Sequence, residues 1–275
     1  MRSAITVSLV PEAKGGPFVF WDGLADAFKQ ASAHGFDAVE IFPPDPEALP
    51  LPEIQALQKE TGLAVAAVGT GAGWVKHKLH LCHPDAGIRR EARGFIASVI
   101  RRAAELNAPA ILGSMQGRVE AGVERSQALD WLSEALSEAG ALAASLGQAF
   151  LYEPLNRYET NLFNRQLDGA QFITERSLEG VRILADLFHM NIEENDLPGT
   201  LSALGSRLGH VHFADSNRRA IGFGHTDAMP IVEALRGIQY AGYLSAEILP
   251  LPDSEAAAAQ TIASFRGLLY SQTLC

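Results

Sequence analysis

Apolar and polar positions follow a repeating order along this chain: an amphipathic helical stretch, a Gly or Asn, and a short apolar run. Gly and Asn commonly end helices because they tolerate the left-handed conformation, and short apolar runs are typical of buried parallel strands. The first helix is predicted to place Trp21, Leu24, Phe28 and Ala31 on one face, ahead of Gly35. Eight apolar runs predict strands at 4–9, 37–42, 63–69, 109–113, 149–153, 181–186, 208–213 and 243–248. The pattern therefore predicts eight strands separated by helices.

Strands that alternate with helices favour a parallel sheet, and eight such units can close into a barrel. The alternative is a doubly wound open sheet, which is expected to carry a glycine-rich phosphate turn after an early strand. The first strand here continues as LVPEAKGG, which lacks the GxGxxG spacing. We therefore predict an α/β protein, a (β/α)8 TIM barrel, with residues 1–275 forming a single domain.

Composition and charge narrow the class of protein. The chain has 275 residues, 47% of them hydrophobic, which suits one barrel. Its net charge of −10, without any Lys/Arg cluster longer than a pair, argues against a nucleic-acid partner, because phosphates require a basic surface. Cys82 and Cys275 are too few for a disulfide framework. No apolar stretch approaches the roughly 20 residues of a membrane span, so we expect a cytoplasmic protein with no membrane partner.

Hydrophilic residues stand at the ends of the last four predicted strands. Glu153, Asp186, His212 and Glu247 follow the apolar runs AFLYE, VRILAD, LGHVH and YLSAE. Active-site groups of a barrel lie at the carboxyl ends of its strands. Taken singly, each acid is equally consistent with a helix N-cap or a salt-bridge partner. Together, three carboxylates at one end of a barrel would repel one another unless a cation lay among them.

Oxygen ligands plus one imidazole suit a divalent ion such as Mn²⁺, Co²⁺ or Mg²⁺, with Zn²⁺ a further candidate. His210 lies two residues before His212 and points to the same face of the strand. We expect His212 to be the ligand and His210 to be a core histidine. Glu40, in the apolar strand DAVEIF, is expected to be a buried supporting carboxylate and not a ligand.

The segments LYEPLNRYETNLFNR, DLFHMNIEE, GHVHFADSNRR and AEILP resemble the ketose 3-epimerase group, which includes D-tagatose and D-psicose 3-epimerases. This group belongs to the xylose-isomerase-like superfamily of sugar isomerases and epimerases. The resemblance covers residues 151–250, whereas the first half of the chain matches mainly in the order of its elements. It implies a dimer or tetramer that acts on a small sugar.

The resemblance also implies roles for seven residues. The implied metal ligands are Glu153, Asp186, His212 and Glu247. The residues implied to contact hydroxyl or carbonyl oxygens of the substrate are Glu159, His189 and Arg218. Glu153 and Glu247 would double as the acid/base pair, one removing a proton next to the ketone and the other returning it. A divalent ion would stabilise the enediolate.

The chain departs from this group at several points. Ala214 and Asp215 stand where the epimerases carry Gly-Glu, and the shorter acid is expected to alter the hydrogen bonds that orient Arg218. The segment VGTGAGWVKHKLHLCHPD differs as well, which makes Trp74, Lys76 and His77 candidates for substrate specificity. At the end of the fourth strand, ILGSMQGR supplies three residues that either recognise substrate or shape the loop: Ser114, Gln116 and Arg118.

Four other functions are compatible with parts of this pattern. A hydroxypyruvate-type isomerase or an inosose dehydratase would use the same four ligands. An apurinic endonuclease on the same barrel would need more histidines at strand ends and a basic surface. A non-catalytic sugar-binding barrel would be expected to lack one glutamate of the acid/base pair, yet Glu153 and Glu247 are both present. Loop eight, LPLPDSE, offers acid and no glycine, which favours a non-phosphorylated sugar.

Overall fold

Eight parallel strands close into a barrel in chain order, within the residues that the computed structural model describes, 1–270. The strands are β1 (Arg2–Ser8), β2 (Ala38–Phe42), β3 (Ala64–Gly69), β4 (Ala110–Leu112), β5 (Phe150–Tyr152), β6 (Val181–Asp186), β7 (Leu208–His212) and β8 (Tyr243–Ala246). Each strand pairs with the next, and β8 pairs with β1. The predicted TIM barrel is confirmed, whereas Cys275 lies outside the described residues.

Helices cover the outside of the barrel. They are α1 (Leu24–His34), α2 (Leu51–Thr61), α3 (Ala72–His77), α4 (Ala86–Ala104), α5 (Arg125–Ser145), α6 (Gln166–Glu175), α7 (Leu187–Glu193), α8 (Leu197–Leu204), α9 (Ala228–Gly237) and α10 (Ser254–Tyr270). Within residues 1–270, none is long and apolar enough to cross a membrane.

The first helix shows how the apolar pattern produces this packing. Its residues Leu24, Phe28 and Ala31, spaced by three or four positions, are buried, and Gly35 ends the helix with φ of 80°. The prediction that Trp21 belongs to this helix is wrong. Gly23, with φ of 93°, interrupts the helical conformation, and Trp21 Nε1 instead donates a hydrogen bond to the carbonyl oxygen of Phe18 (2.7 Å).

An apolar cluster lies inside the barrel below the strand ends. It consists of Ala67, Ile111, Leu151 and Leu184. Leu151 is two residues before Glu153, and Leu184 is two residues before Asp186, so each pair shares the inward face of the sheet. The last inward position of each strand therefore opens at the carboxyl end of the barrel, above an apolar core.

Candidate active site

The four strand-end residues converge at the carboxyl end of the barrel. Glu153, Asp186, His212 and Glu247 each offer one atom to a group whose members lie within 4.8 Å of one another. The Nδ1 atom of His212 lies 3.2 Å from Asp186 Oδ2 and 3.4 Å from both Glu153 Oε1 and Glu247 Oε2. We refer to these four residues as the acidic cluster.

The backbone register explains this convergence. Asp186 lies opposite His212, which lies opposite Ser245 on the next strand. Asp186 also caps α7, because its Oδ1 accepts hydrogen bonds from the amides of Phe188 (2.8 Å) and His189 (3.4 Å). The helix-capping interpretation and the cluster interpretation therefore both hold for Asp186, each through a different carboxylate oxygen.

Arg218 contacts two members of the acidic cluster. Its Nη1 lies 2.5 Å from Asp186 Oδ2, and its Nη2 pairs with Glu247 Oε2. The residue is 8% exposed and has a left-handed backbone with φ of 61°. Its carbonyl oxygen accepts a hydrogen bond from the amide of Leu249 (2.7 Å), which ties the loop after β7 to the loop after β8.

His189 lies on α7, which begins directly after the last residue of β6. The capping by Asp186 explains the helix, because it satisfies two amides of the first turn. Asn156 Nδ2 donates to His189 Nδ1 (2.7 Å) and to Glu159 Oε1 (2.9 Å). His189 Nε2 is therefore the protonated nitrogen, and it lies 3.7 Å from Glu153 Oε1. Sequence reasoning missed Asn156, whose only signal was its place in the NRYE loop.

Glu40 lies next to the acidic cluster, on the Nε2 side of His212. Its Oε1 is 3.1 Å from His212 Nε2, and its Oε2 is 2.8 Å from His210 Nε2. All three residues are buried. Burial alone would raise the pKa of Glu40, but the two imidazoles hold it well below its usual range. Glu40, His210 and His212 also form a second group whose atoms could hold a metal ion, so the roles of Glu40 as a supporting carboxylate and of His210 as a core histidine stay predictions.

Burial and charge shift the pKa values of the cluster in different directions. Burial raises the pKa of Glu247 to about 8, against the attraction of His212 and Arg218. The pKa of Glu153 is raised for the same reason. Burial opposes ionisation of Asp186 too, but Arg218, His189 and His212 together outweigh burial and lower the pKa of that carboxyl.

The two histidines of the site differ in protonation. Burial would lower the pKa of His212, yet Glu247 and Glu40 hold it well above its usual range. Burial lowers the pKa of His189 to about 4, despite the neighbouring Asp186. At neutral pH, His189 is therefore an uncharged hydrogen-bond donor, whereas the carboxylates around His212 favour the charged form of its imidazole.

The chemistry of the cluster fits a divalent cation. Glu153 Oε1 is buried and has no hydrogen-bond partner among residues 1–270, although His212 Nδ1 lies 3.4 Å away, and coordination of a cation would satisfy this oxygen. Glycine at 113 leaves room beside this carboxylate, since a Cβ there would lie 2.7 Å from Glu153 Oε2. Cys82, the cysteine among residues 1–270, is buried away from the cluster and donates to the carbonyl oxygen of Ala128. Carboxylate oxygens and one imidazole suit Mn²⁺, Co²⁺ or Mg²⁺.

A cavity of about 480 Å³ lies above the cluster. Five of the seven predicted site residues line it, namely Glu153, Glu159, His189, Arg218 and Glu247. Asp186 and His212 lie behind them and do not line the cavity. Phe18 and Phe42 stack at 4.6 Å between ring centroids and form an apolar part of the wall.

The residues considered above as candidates for substrate specificity differ in whether they reach the cavity. Trp74 and Ser114 line the cavity, whereas Lys76 and His77 do not. Gln116 is a bracing residue: it is fully buried and donates to the carbonyl oxygen of Glu153 (2.9 Å). Arg118 lines a second cavity nearby.

Asp215 organises the loop that carries Arg218. Its carboxylate accepts hydrogen bonds from the amides of Ser216 (2.7 Å), Gly222 (2.8 Å), Gly224 (2.8 Å) and Thr226 (2.9 Å). These bonds hold the pKa of Asp215 below its usual value although burial opposes this. Asp215 therefore orients Arg218 through the backbone of the loop.

A family model, curated relatives and a solved structure are all similar to this chain. The model of the xylose isomerase-like TIM barrel family matches residues 28–268. A D-psicose 3-epimerase of Ruminiclostridium cellulolyticum is 31% identical over 76% of this chain and 72% of its own. A 3-dehydro-D-guloside 4-epimerase of Escherichia coli is 32% identical over 82% of this chain and 87% of its own. The crystal structure of a 3-keto-D-glucoside 4-epimerase from E. coli superimposes with a TM-score of 0.80 at 26% identity, covering 96% of this chain and 98% of that one.

Proposed function

The chain belongs to the xylose isomerase-like TIM barrel family, among the ketose 3-epimerase-like sugar epimerases and isomerases, and we propose that it acts on a small, non-phosphorylated keto-sugar using one divalent metal ion. The observation that carries this proposal is the convergence of three carboxylates and one imidazole in the acidic cluster. Two residues of the cluster, Glu153 and Glu247, line a cavity of about 480 Å³, which has room for a sugar. The names of the relatives, a D-psicose 3-epimerase and a 3-dehydro-D-guloside 4-epimerase, support a sugar substrate.

The metal would be held by Glu153, Asp186, His212 and Glu247. When bound, such an ion supplies Lewis acidity that stabilises negative charge on adjacent substrate oxygens. The buried Glu153 Oε1, which lacks a hydrogen-bond partner within the part of the chain that the structure describes, supports this assignment.

Glu153 and Glu247 are proposed as the acid/base pair, because both line the cavity. One carboxylate removes the proton from the carbon next to the ketone, which gives an enediolate. If the other returns a proton to the opposite face of the same carbon, the product is an epimer. If the proton is taken instead from the terminal carbon C1 and a proton is returned to the carbonyl carbon, the product is the aldose isomer.

Glu159, His189 and Arg218 are proposed to position the substrate. His189 is a neutral donor whose Nε2 faces Glu153, so it can donate to a carbonyl oxygen beside the base. Arg218 offers a cationic donor next to Glu247. Glu159 lines the cavity and can accept from substrate hydroxyl groups. We also propose a cytoplasmic dimer or tetramer with a single domain over 1–275.

The test is a panel of ketoses, aldoses and inososes incubated in heavy water with Mn²⁺ or Co²⁺. NMR should show exchange of a carbon-bound proton next to the ketone, together with an epimer or isomer. Glu247→Gln should slow the exchange by about 100- to 10,000-fold, whereas Glu233→Gln, on the exposed face of α9, should not. Loss of water from an inosose would instead assign a dehydratase. Full activity after removal of all metal would contradict the proposal.

A further inference from the structure

A second cavity of about 270 Å³ adjoins the one above the acidic cluster. The two cavities share four lining residues, Trp74, Ser114, Leu155 and Glu159. We call the smaller cavity the annex. The larger cavity alone has the usual volume of a ligand pocket. The annex therefore offers room for a further part of a substrate, next to the proposed site of reaction.

Exposed aromatic rings line the annex. Trp74 is 37% exposed and Tyr158 is 77% exposed, although side chains of this size are usually buried. The amide of Tyr158 donates to Asn156 Oδ1 (3.0 Å), so its backbone belongs to the same turn that orients His189. Rigid aromatic faces provide contact area at a low cost in conformational entropy, and they pack against the C–H faces of sugar rings.

The polar groups of the annex favour a neutral ligand. It carries the guanidinium of Arg118 together with the carboxylates of Glu120 and Glu159. The side chain of His80 is 3% exposed, and its Nδ1 has no hydrogen-bond partner among the described residues. Burial lowers the pKa of His80 to about 4, so this imidazole is uncharged at neutral pH. Two carboxylates and one cation disfavour phosphate but can hydrogen-bond to hydroxyl groups.

Building on the proposed function, we propose that the substrate is a keto-sugar that carries a second, neutral sugar ring. The reacting ring occupies the larger cavity, beside Glu153 and Glu247. The second ring occupies the annex and packs against Trp74 and Tyr158. Glu159 lines both cavities, and its Oε1 lies 3.8 Å from His189 Nδ1. The annex therefore lies next to the groups that are proposed to bind the reacting ring.

The experiment compares D-fructose with three fructose derivatives that keep a free ketone and carry glucose at O4, O5 or O6: maltulose, leucrose and isomaltulose. The Mn²⁺-loaded protein is assayed for exchange of carbon-bound protons in heavy water. We expect at least one disaccharide to exceed fructose in kcat/KM by about tenfold. Tyr158→Ala should abolish this preference and Tyr158→Phe, which keeps the ring, should retain it. Leu146→Ala, at another exposed apolar residue at the end of α5, should change neither value.

The outcomes separate the annex from the catalytic proposal. If fructose reacts better than all three disaccharides, or if Tyr158→Ala leaves the ratio of kcat/KM values unchanged, the annex proposal is wrong and the catalytic one stands. If no sugar exchanges protons, the proposed function is wrong. The annex proposal is then tested by measuring the binding of the disaccharides. Calorimetric titration with the same disaccharides should then show affinity that Tyr158→Ala reduces about tenfold, and equal affinity in both proteins overturns the proposal.

Discussion

His212 contacts Glu40 through one ring nitrogen and the acidic cluster through the other: Nε2 lies 3.1 Å from Glu40 Oε1, and Nδ1 lies 3.2 Å from Asp186 Oδ2. A carboxylate on the far nitrogen of a ligating histidine fixes the orientation of the ring and raises its basicity. Glu40 is therefore placed to direct Nδ1 of His212 toward the proposed metal-binding position.

The substitution Glu40→Gln should weaken Mn²⁺ binding by about 10- to 100-fold, because an amide oxygen is a weaker acceptor and cannot serve both His210 and His212. Isothermal titration calorimetry measures the affinity, and circular dichroism shows whether the fold is retained. Glu53→Gln, on the exposed face of α2, removes the same charge elsewhere and should leave the affinity unchanged. Wild-type affinity in a folded Glu40→Gln protein would show that Glu40 does not position His212.

Metal binding should release protons and strengthen as the pH rises. The pKa of His212 is well above its usual range and that of Glu247 is about 8, so this pair holds at least one proton near neutral pH that a cation must displace. The Kd for Mn²⁺ should therefore fall between about pH 6 and about pH 8. Titrations in two buffers of different ionisation enthalpy count the released protons. A Kd that does not vary with pH would contradict this linkage.

Asp215→Asn should loosen the loop after β7 and raise KM. The Asp215 carboxylate accepts four backbone hydrogen bonds, whereas an asparagine has one acceptor oxygen and would turn its amide group toward the remaining amides. The loss is about 1–3 kcal/mol of local stability. Hydrogen exchange at the amides of 216–226 measures it, and Glu233→Gln serves as the control. Unchanged exchange and KM would mean that other contacts hold Arg218 in place.

Acid should destabilise the protein through His80. Its pKa is about 4 in the folded state, because burial and the neighbouring His83 penalise the charged form, against 6.5 when unfolded. The unfolded state therefore binds the proton more readily, and stability is lost as the pH falls from about 6.5 to about 4. Urea denaturation at about pH 7.5 and about pH 5 should show this loss. His80→Gln should reduce the difference between the two pH values, and an identical difference in both proteins would exclude His80 as a cause.

Local patterns in the sequence were sufficient to predict the fold and the convergence of four strand-end residues. The strand β6 was predicted with its observed bounds, Val181–Asp186, because an apolar run between turn residues carries its own information. The four strand-end residues followed from the same logic, since the carboxyl ends of parallel strands in a barrel share one end. The resemblance to sugar epimerases was also legible in contiguous segments and is confirmed by the family match.

Contacts between distant segments could be known only from the tertiary structure. Glu40 and His212 are 172 positions apart, and their contact depends on how the strands are staggered when the barrel closes. The annex likewise forms where the loop of Tyr158 meets the helix of Trp74. Helical and strand periodicities determine which face a residue occupies, because they depend on neighbours along the chain. Which side chains meet across the barrel depends on packing between elements, and no local pattern contains that information.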